Sequence, residues 1–227
     1  MLFFNPTYLF LIIPVLLGWF TQWRVRKIYC QYLKIPNKKK IKGIEVAKFL
    51  MSYHHLNLPV LQTKKSILNY YDPKNKTLYL SRQISEYYSI TSMGIVAHEI
   101  EHAVQDDQGC RFMNFRNKAA TTMAVIGQIS PLVFMSGILF RKVLFIYLGV
   151  MFLFGMVIYA LISLPIELNA SNRAIRTLKD TGIADQEEIK MVSVVLHHAA
   201  LTYFAGAAQR IGTFLFIIMF LFIIHQL

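Results

Sequence analysis

The chain has 227 residues, 55% of them hydrophobic and only 16% charged, with a mean hydropathy of +0.43 and a formal net charge of +12. Soluble globular domains carry roughly 25% charged residues, so this is not an ordinary soluble protein, and its 17 Phe and 12 Tyr exclude a disordered one. Cys30 and Cys110 are the only cysteines and form no CxxC pair, which excludes a disulfide scaffold and points to reduced thiols.

Charges are missing from three long stretches, residues 1–23, 119–140 and 143–166. At a 1.5 Å rise per residue each reaches roughly 33–36 Å, enough for a hydrocarbon core of about 30 Å. A fourth stretch, residues 211–227, is at the lower limit of length and becomes adequate if Arg210 snorkels to the interface. Four membrane spans are therefore expected. The first lacks a basic leader and a small-x-small cleavage pattern, so it reads as a signal anchor rather than a cleaved signal peptide.

Arg24, Arg26, Lys27, Lys34, Lys38, Lys39, Lys40 and Lys42 follow the first stretch closely. The positive-inside rule then puts the N-terminus outside and the following segment in the cytoplasm; Arg141 and Lys142, in the outer loop, oppose this weakly. The basic run is juxtamembrane and faces anionic lipid headgroups, so the net charge is not a nucleic-acid signal.

The polar portion reads as an α+β unit. Ile44, Ala47, Phe49, Leu50 and Met51 have helical spacing within residues 41–54, and Asn57 and Pro59 close that helix. Two β-prone runs flank the turn-rich residues 72–76, giving a hairpin over 67–81. A helix is expected from about residue 84 to 107, stopped at Gly109. After the third span, residues 167–180 form a helix ending near Gly182. Residues 185–209 form another, opened by a capping box of Asp185 and Glu188. The expected organisation is a membrane helix over 1–23, a polar α+β domain over 24–118, a membrane hairpin over 119–166, helices on the polar side over 167–209 and a fourth membrane helix over 210–227.

His98, Glu99 and His102 form an H-E-x-x-H motif inside the predicted helix. Residues four apart share a helix face, so both imidazoles can reach one metal ion, while Glu99 can act on a water beside it. Zinc accepts such nitrogen ligands and leaves one position for water in a catalytic site. A third protein ligand must come from elsewhere. His54, His55, His197 and His198 are available, but Glu167 is favoured: two spans return the chain to the side of His102, and a carboxylate beside lipid is costly without a partner. A glutamate at a helix N-terminus, favoured by the macrodipole, is the plainer explanation of its position.

Several segments resemble the bacterial integral-membrane neutral zinc metallopeptidases of the YugP type, nearly end to end. They are Asn5 to Leu9, Gly43 to Ala47, Tyr71-Asp72-Pro73, Leu80-Ser81, Val96 to Gln105, Leu164 to Ser171, Arg173-Ala174 and Ala199 to Tyr203. The resemblance implies a gluzincin-like site with His98, His102 and Glu167 on one Zn2+ and Glu99 as general base. The second motif is also similar to that of the HtpX-type membrane peptidases, which carry Asp where Ser171 stands. An Asp is likewise implied at Asn169, so here a neutral amide would orient a ligating histidine; Asn169 and Ser171 are the residues expected behind the ligands. Tyr203 and Arg173 are the candidate oxyanion donors the resemblance keeps, and His198 is a local alternative.

In metallopeptidases of this architecture an extended peptide pairs with an edge strand, and Leu78, Tyr79 and Leu80 are expected to be that strand. The leading expectation is a multi-pass zinc endopeptidase of the bacterial inner membrane. It would cleave membrane or membrane-adjacent proteins at the cytoplasmic face, with peptide and lipid bilayer as partners and no nucleic acid. The alternative is a catalytically idle interaction protein with structural zinc, for which the carboxylate of Glu99 has no use. A transporter is ranked below both, because the spans contain no ionisable pair.

Overall fold

The computed structural model describes residues 8–63 and 68–226, and of residues 224–226 the backbone alone. In chain order the elements are α1 (Leu9–Leu33), α2 (Gly43–Tyr53), β1 (Val60–Thr63), β2 (Tyr70–Asp72), β3 (Thr77–Ser81), α3 (Arg82–Glu86), α4 (Ile90–Asp107), α5 (Arg111–Leu139), α6 (Val143–Asp180) and α7 (Gln186–Gln226). The protein is mostly helical with one small sheet. Among the described residues, α5, α6 and α7 are long and apolar enough to cross a membrane. Residues 1–7 of the first expected span lie outside the described residues, and α1 begins two residues after them.

The chain forms two compact units. One joins the residues up to Gln22 with Phe115–Pro165 and the chain from Thr202. It contains the α5–α6 hairpin, whose turn passes through Arg141 at φ 53°. Gly137 lies against Ile146, Phe134 against Gly149 and Gly127 against Met156, which fixes an antiparallel register between the two helices. On this unit Leu132, Leu139, Leu144, Tyr147 and Met151 are exposed. Large apolar side chains on long helices need an apolar surrounding, and a bilayer provides it.

The other unit comprises Trp23–Asn114 and Ile166–Leu201. Its core is built from Val46 and Leu50 of α2, Leu78 and Leu80 of β3, Ile84 of α3, Met93, Val96 and Ile100 of α4, Leu178 of α6 and Val192 of α7. Each of these is an apolar position recurring at helix or strand period, so the amphipathic pattern of the sequence becomes one contiguous interior. Gly43 marks the closest backbone approach: a Cβ there would lie 2.0 Å from the Ile84 carbonyl oxygen.

The three strands have the order β1-β3-β2, with β1 parallel and β2 antiparallel to β3. The expected hairpin is β2 and β3, although Ile67, at its start, lies outside the described residues; β1 was not expected. This topology corrects one expectation. Leu78, Tyr79 and Leu80 lie in the central strand, hydrogen-bonded on both sides, so they do not offer the free edge that an added peptide strand requires.

Two helix boundaries also differ from expectation. The predicted helix from residue 84 is two helices, broken over 87–89. The Ser89 hydroxyl accepts from the Ser92 N–H and starts α4, while the Asn37 N–H takes the Tyr88 carbonyl. Tyr87 and Tyr88 extend the apolar pattern across this break and hide it. Gly109, at φ 66°, follows the end of α4 as expected. In addition, α6 runs unbroken through Pro165, so Glu167 sits well inside a helix rather than at its start, and the macrodipole does not explain it. The break between α6 and α7 falls at Gly182, φ 63°, and the predicted capping box forms. Asp185 Oδ1 accepts from the Glu187 and Glu188 N–H groups, and Glu188 Oε2 accepts from the Asp185 N–H. Part of the basic run is used here: Lys38 Nζ binds Asp185 and Glu187, and Lys39 Nζ donates to the Gly182 carbonyl.

Candidate metal centre

Helix α4 carries the H-E-x-x-H motif with its apolar face packed into the core through Met93, Val96, Ile100 and Val104. The side chains one turn apart on the adjacent face, His98 and His102, stack edge to face with ring centroids 4.6 Å apart. From α6, Glu167 projects onto the same pair and is 1% exposed. The three side chains bring ligand atoms within 4.8 Å of one another, and no other His, Cys, Asp or Glu joins them among the described residues. His98 Nε2 and His102 Nε2 are 3.1 Å apart, and Glu167 Oε2 lies 3.3 Å from the first and 3.4 Å from the second. Ligand atoms held about 2.0–2.1 Å from a tetrahedral zinc are separated by about 3.3–3.4 Å, so the observed triangle has the size of one face of that tetrahedron.

A hydrogen-bond chain behind His102 selects its tautomer. Gln105 Nε2 donates to Asn169 Oδ1 at 2.9 Å and to the Ile166 carbonyl at 3.3 Å, which leaves Gln105 Oε1 to accept from His102 Nδ1 at 3.0 Å. With its proton on Nδ1, a neutral His102 turns the Nε2 lone pair toward Glu167. Two acceptors then face each other, an arrangement that a cation relieves. Ser171 Oγ lies 3.2 Å from His98 Nδ1 and can serve the same purpose there. Ser171 thus touches His98 directly, whereas Asn169 reaches His102 only through the Gln105 amide. Gln105 escaped the sequence reading. Its signal was present, because it follows His98 by seven residues and His102 by three, on the ligand face of α4.

Glu99 accepts a hydrogen bond from the backbone N–H of Tyr71 at 3.1 Å, so strand β2 presents its outer edge to this carboxylate. The Tyr71 hydroxyl donates to Asp106 at 2.7 Å; burial and that carboxylate push its pKa above the ordinary tyrosine value. Glu101, on the opposite face of α4, is 1% exposed. It accepts from Thr177 Oγ1 at 2.6 Å and Arg173 Nε at 2.8 Å, and lies 3.1 Å from His54 Nε2. Arg173 also donates to Gln108 at 2.9 Å. Of the remaining predicted residues, His197 and His198 bond within α7, and Tyr203 belongs to the other unit, where it lines a cavity. The network around Glu101 was not anticipated, because its partners come from α6 and from His54, just after α2, remote in sequence.

Two imidazoles one turn apart, a buried carboxylate from a second helix, an adjacent edge strand and membrane-length helices define the class: a membrane protein with the constellation of a zinc peptidase. The chain belongs to the family described as "Putative neutral zinc metallopeptidase", whose model matches residues 7–222. It is 30% identical over 217 residues to "Putative membrane protease YugP" of Bacillus subtilis (strain 168), an alignment covering 94% of this chain and 96% of that protein. No solved structure matches it.

Proposed function

We propose that this protein is a zinc-dependent endopeptidase of the bacterial cytoplasmic membrane, with His98, His102 and Glu167 as metal ligands and Glu99 as the general base. The observation that carries the reading is the triangle of Nε2, Nε2 and Oε2 atoms with edges of 3.1–3.4 Å, flanked by Glu99 on the same helix. When bound, zinc supplies Lewis acidity, lowering the pKa of water and polarising the scissile carbonyl. Glu99 takes a proton from the attacking water and delivers it to the leaving amine nitrogen. The Tyr71 N–H, by donating to Glu99, holds its carboxylate in place. Arg173, tied to buried Glu101, serves to position α6 against α4.

Four spans with the N-terminus outside and the site facing the cytoplasm follow from the charge distribution, through the basic residues after α1's apolar half. The relative's description as a membrane protease supports substrates in or beside the membrane. The test is metal analysis and peptide-bond cleavage by the full chain in detergent, wild type beside Glu99→Gln. Retained zinc with proteolysis lowered by at least a hundredfold is expected for the variant. Equal cleavage by both removes Glu99 from the mechanism, and zinc without cleavage in either favours an idle, structural site.

A further inference from the structure

The unit that carries the long apolar stretches contains a cavity of about 670 Å³. That is within the range of about 300–1,000 Å³ typical of small-molecule sites. Arg116 of α5 and Arg210 of α7 both line it, together with Gln22 and Gln209. No carboxylate lines it, and this unit contains no Asp or Glu anywhere in its sequence. Arg210 Nη1 donates to the Gly206 carbonyl at 3.1 Å, which leaves the rest of its donor fork for a further acceptor.

The cavity is charged at one end and, Ser130 apart, apolar at the other. Arg116 lies three residues and Arg210 one residue before the charge-free stretches that open at residues 119 and 211, and Gln22 is next to last in residues 1–23, so these groups share one end of those stretches. Fifteen residues along α5, about 22 Å at 1.5 Å per residue, Pro131 lines the far part, joined by Leu153 and Met156 of α6. The α5–α6 register, which sets Gly127 against Met156, puts those α6 side chains at the same depth. Cationic forks at the headgroup level and apolar walls running into the hydrocarbon region match an anionic amphiphile, and pockets of this kind between membrane helices select negatively charged headgroups.

We propose that this cavity is a specific site for one anionic phospholipid. Arg116 and Arg210 bind its phosphate, Gln22 and Gln209 its polar headgroup, and Pro131, Leu153 and Met156 contact an acyl chain. The proposal does not depend on the hydrolytic reading.

The experiment is native mass spectrometry of the full chain in detergent, titrated separately with phosphatidylglycerol, phosphatidylcholine and inorganic phosphate. The expected result is one phosphatidylglycerol retained at least tenfold more tightly than phosphatidylcholine, unaffected by millimolar phosphate. The double variant R116Q/R210Q and the single variant R210Q should lose that preference. K34Q/K40Q, which removes two charges from the juxtamembrane run, should keep it. Equal retention of both lipids by wild type overturns the proposal, and that arm needs no variant to fold. So does displacement by phosphate, which indicates a free-anion site, and so does loss of preference in K34Q/K40Q alone, which indicates general surface attraction.

Discussion

His102 reaches Asn169 through a single amide, that of Gln105, which accepts from His102 Nδ1 at 3.0 Å and donates to Asn169 Oδ1 at 2.9 Å. The link joins α4 to α6 directly behind the ligand triangle, so the helix that supplies Glu167 also sets the tautomer of His102. An Asp at position 169 would accept the same hydrogen bond. The neutral amide found here does so too, because what Gln105 needs is an oxygen, charged or not.

Gln105→Ala should weaken zinc binding by about 10- to 100-fold, the range seen when a partner behind a ligating histidine is removed. Competition against a chelator, with the full chain in detergent, measures it. Unchanged zinc affinity would show that Gln105 fills space behind His102 without orienting it.

The sequence made the ligand helix legible because H-E-x-x-H needs only helical period to bring two imidazoles together. Glu167 required more, a pairing of α4 with α6 across 65 residues, and the return of the chain through two apolar stretches was enough to suggest it. What stayed hidden were relationships between segments. Strand β1 joins the sheet in parallel with β3, and no local pattern reports a parallel partner. The consequence is functional: β3, expected at an edge, is the central strand. The break before α4 was hidden for a different reason, since Tyr87 and Tyr88 keep an apolar rhythm while their backbone serves Asn37 and Gly43.

The carboxylate of Glu101 is 1% exposed and depends on Arg173, Thr177 and His54 for its compensation. Arg173→Ala leaves that charge without its cationic partner and should destabilise this unit by on the order of 3 kcal/mol. Thermal unfolding in detergent reads the loss. The pair Glu101→Gln with Arg173→Ala should cost less than the two single changes added together, because they share one interaction. Strict additivity would mean that the ion pair contributes nothing.

Gly43→Ala forces a Cβ to within 2.0 Å of the Ile84 carbonyl oxygen, so α2 or α3 must move. The expected destabilisation is about 1–3 kcal/mol, as for overpacking elsewhere in protein interiors. Gly155→Ala is the matched control, since a Cβ there meets nothing within 4 Å and α6 gains a better helix former. A wild-type melting temperature for Gly43→Ala would require α2 and α3 to be farther apart than described.

The start of α7 should weaken in acid. Hydrogen bonds from the Glu188 N–H first, and then the Lys38 ammonium, hold the Asp185 carboxyl below its ordinary pKa. A carboxyl depressed in the folded state contributes stability that is complete above its unfolded value, about 3.9, and is lost as pH falls through the lower folded value. Lys38, whose pKa is raised by Asp185 and Glu187, stays protonated throughout this window. Asp185→Ala should therefore melt below wild type near pH 6, and the gap should close as the pH is lowered past that folded value. Melting curves of both proteins at matched pH give the difference directly. A gap independent of pH would assign the cap's contribution to packing rather than to the ionised carboxylate.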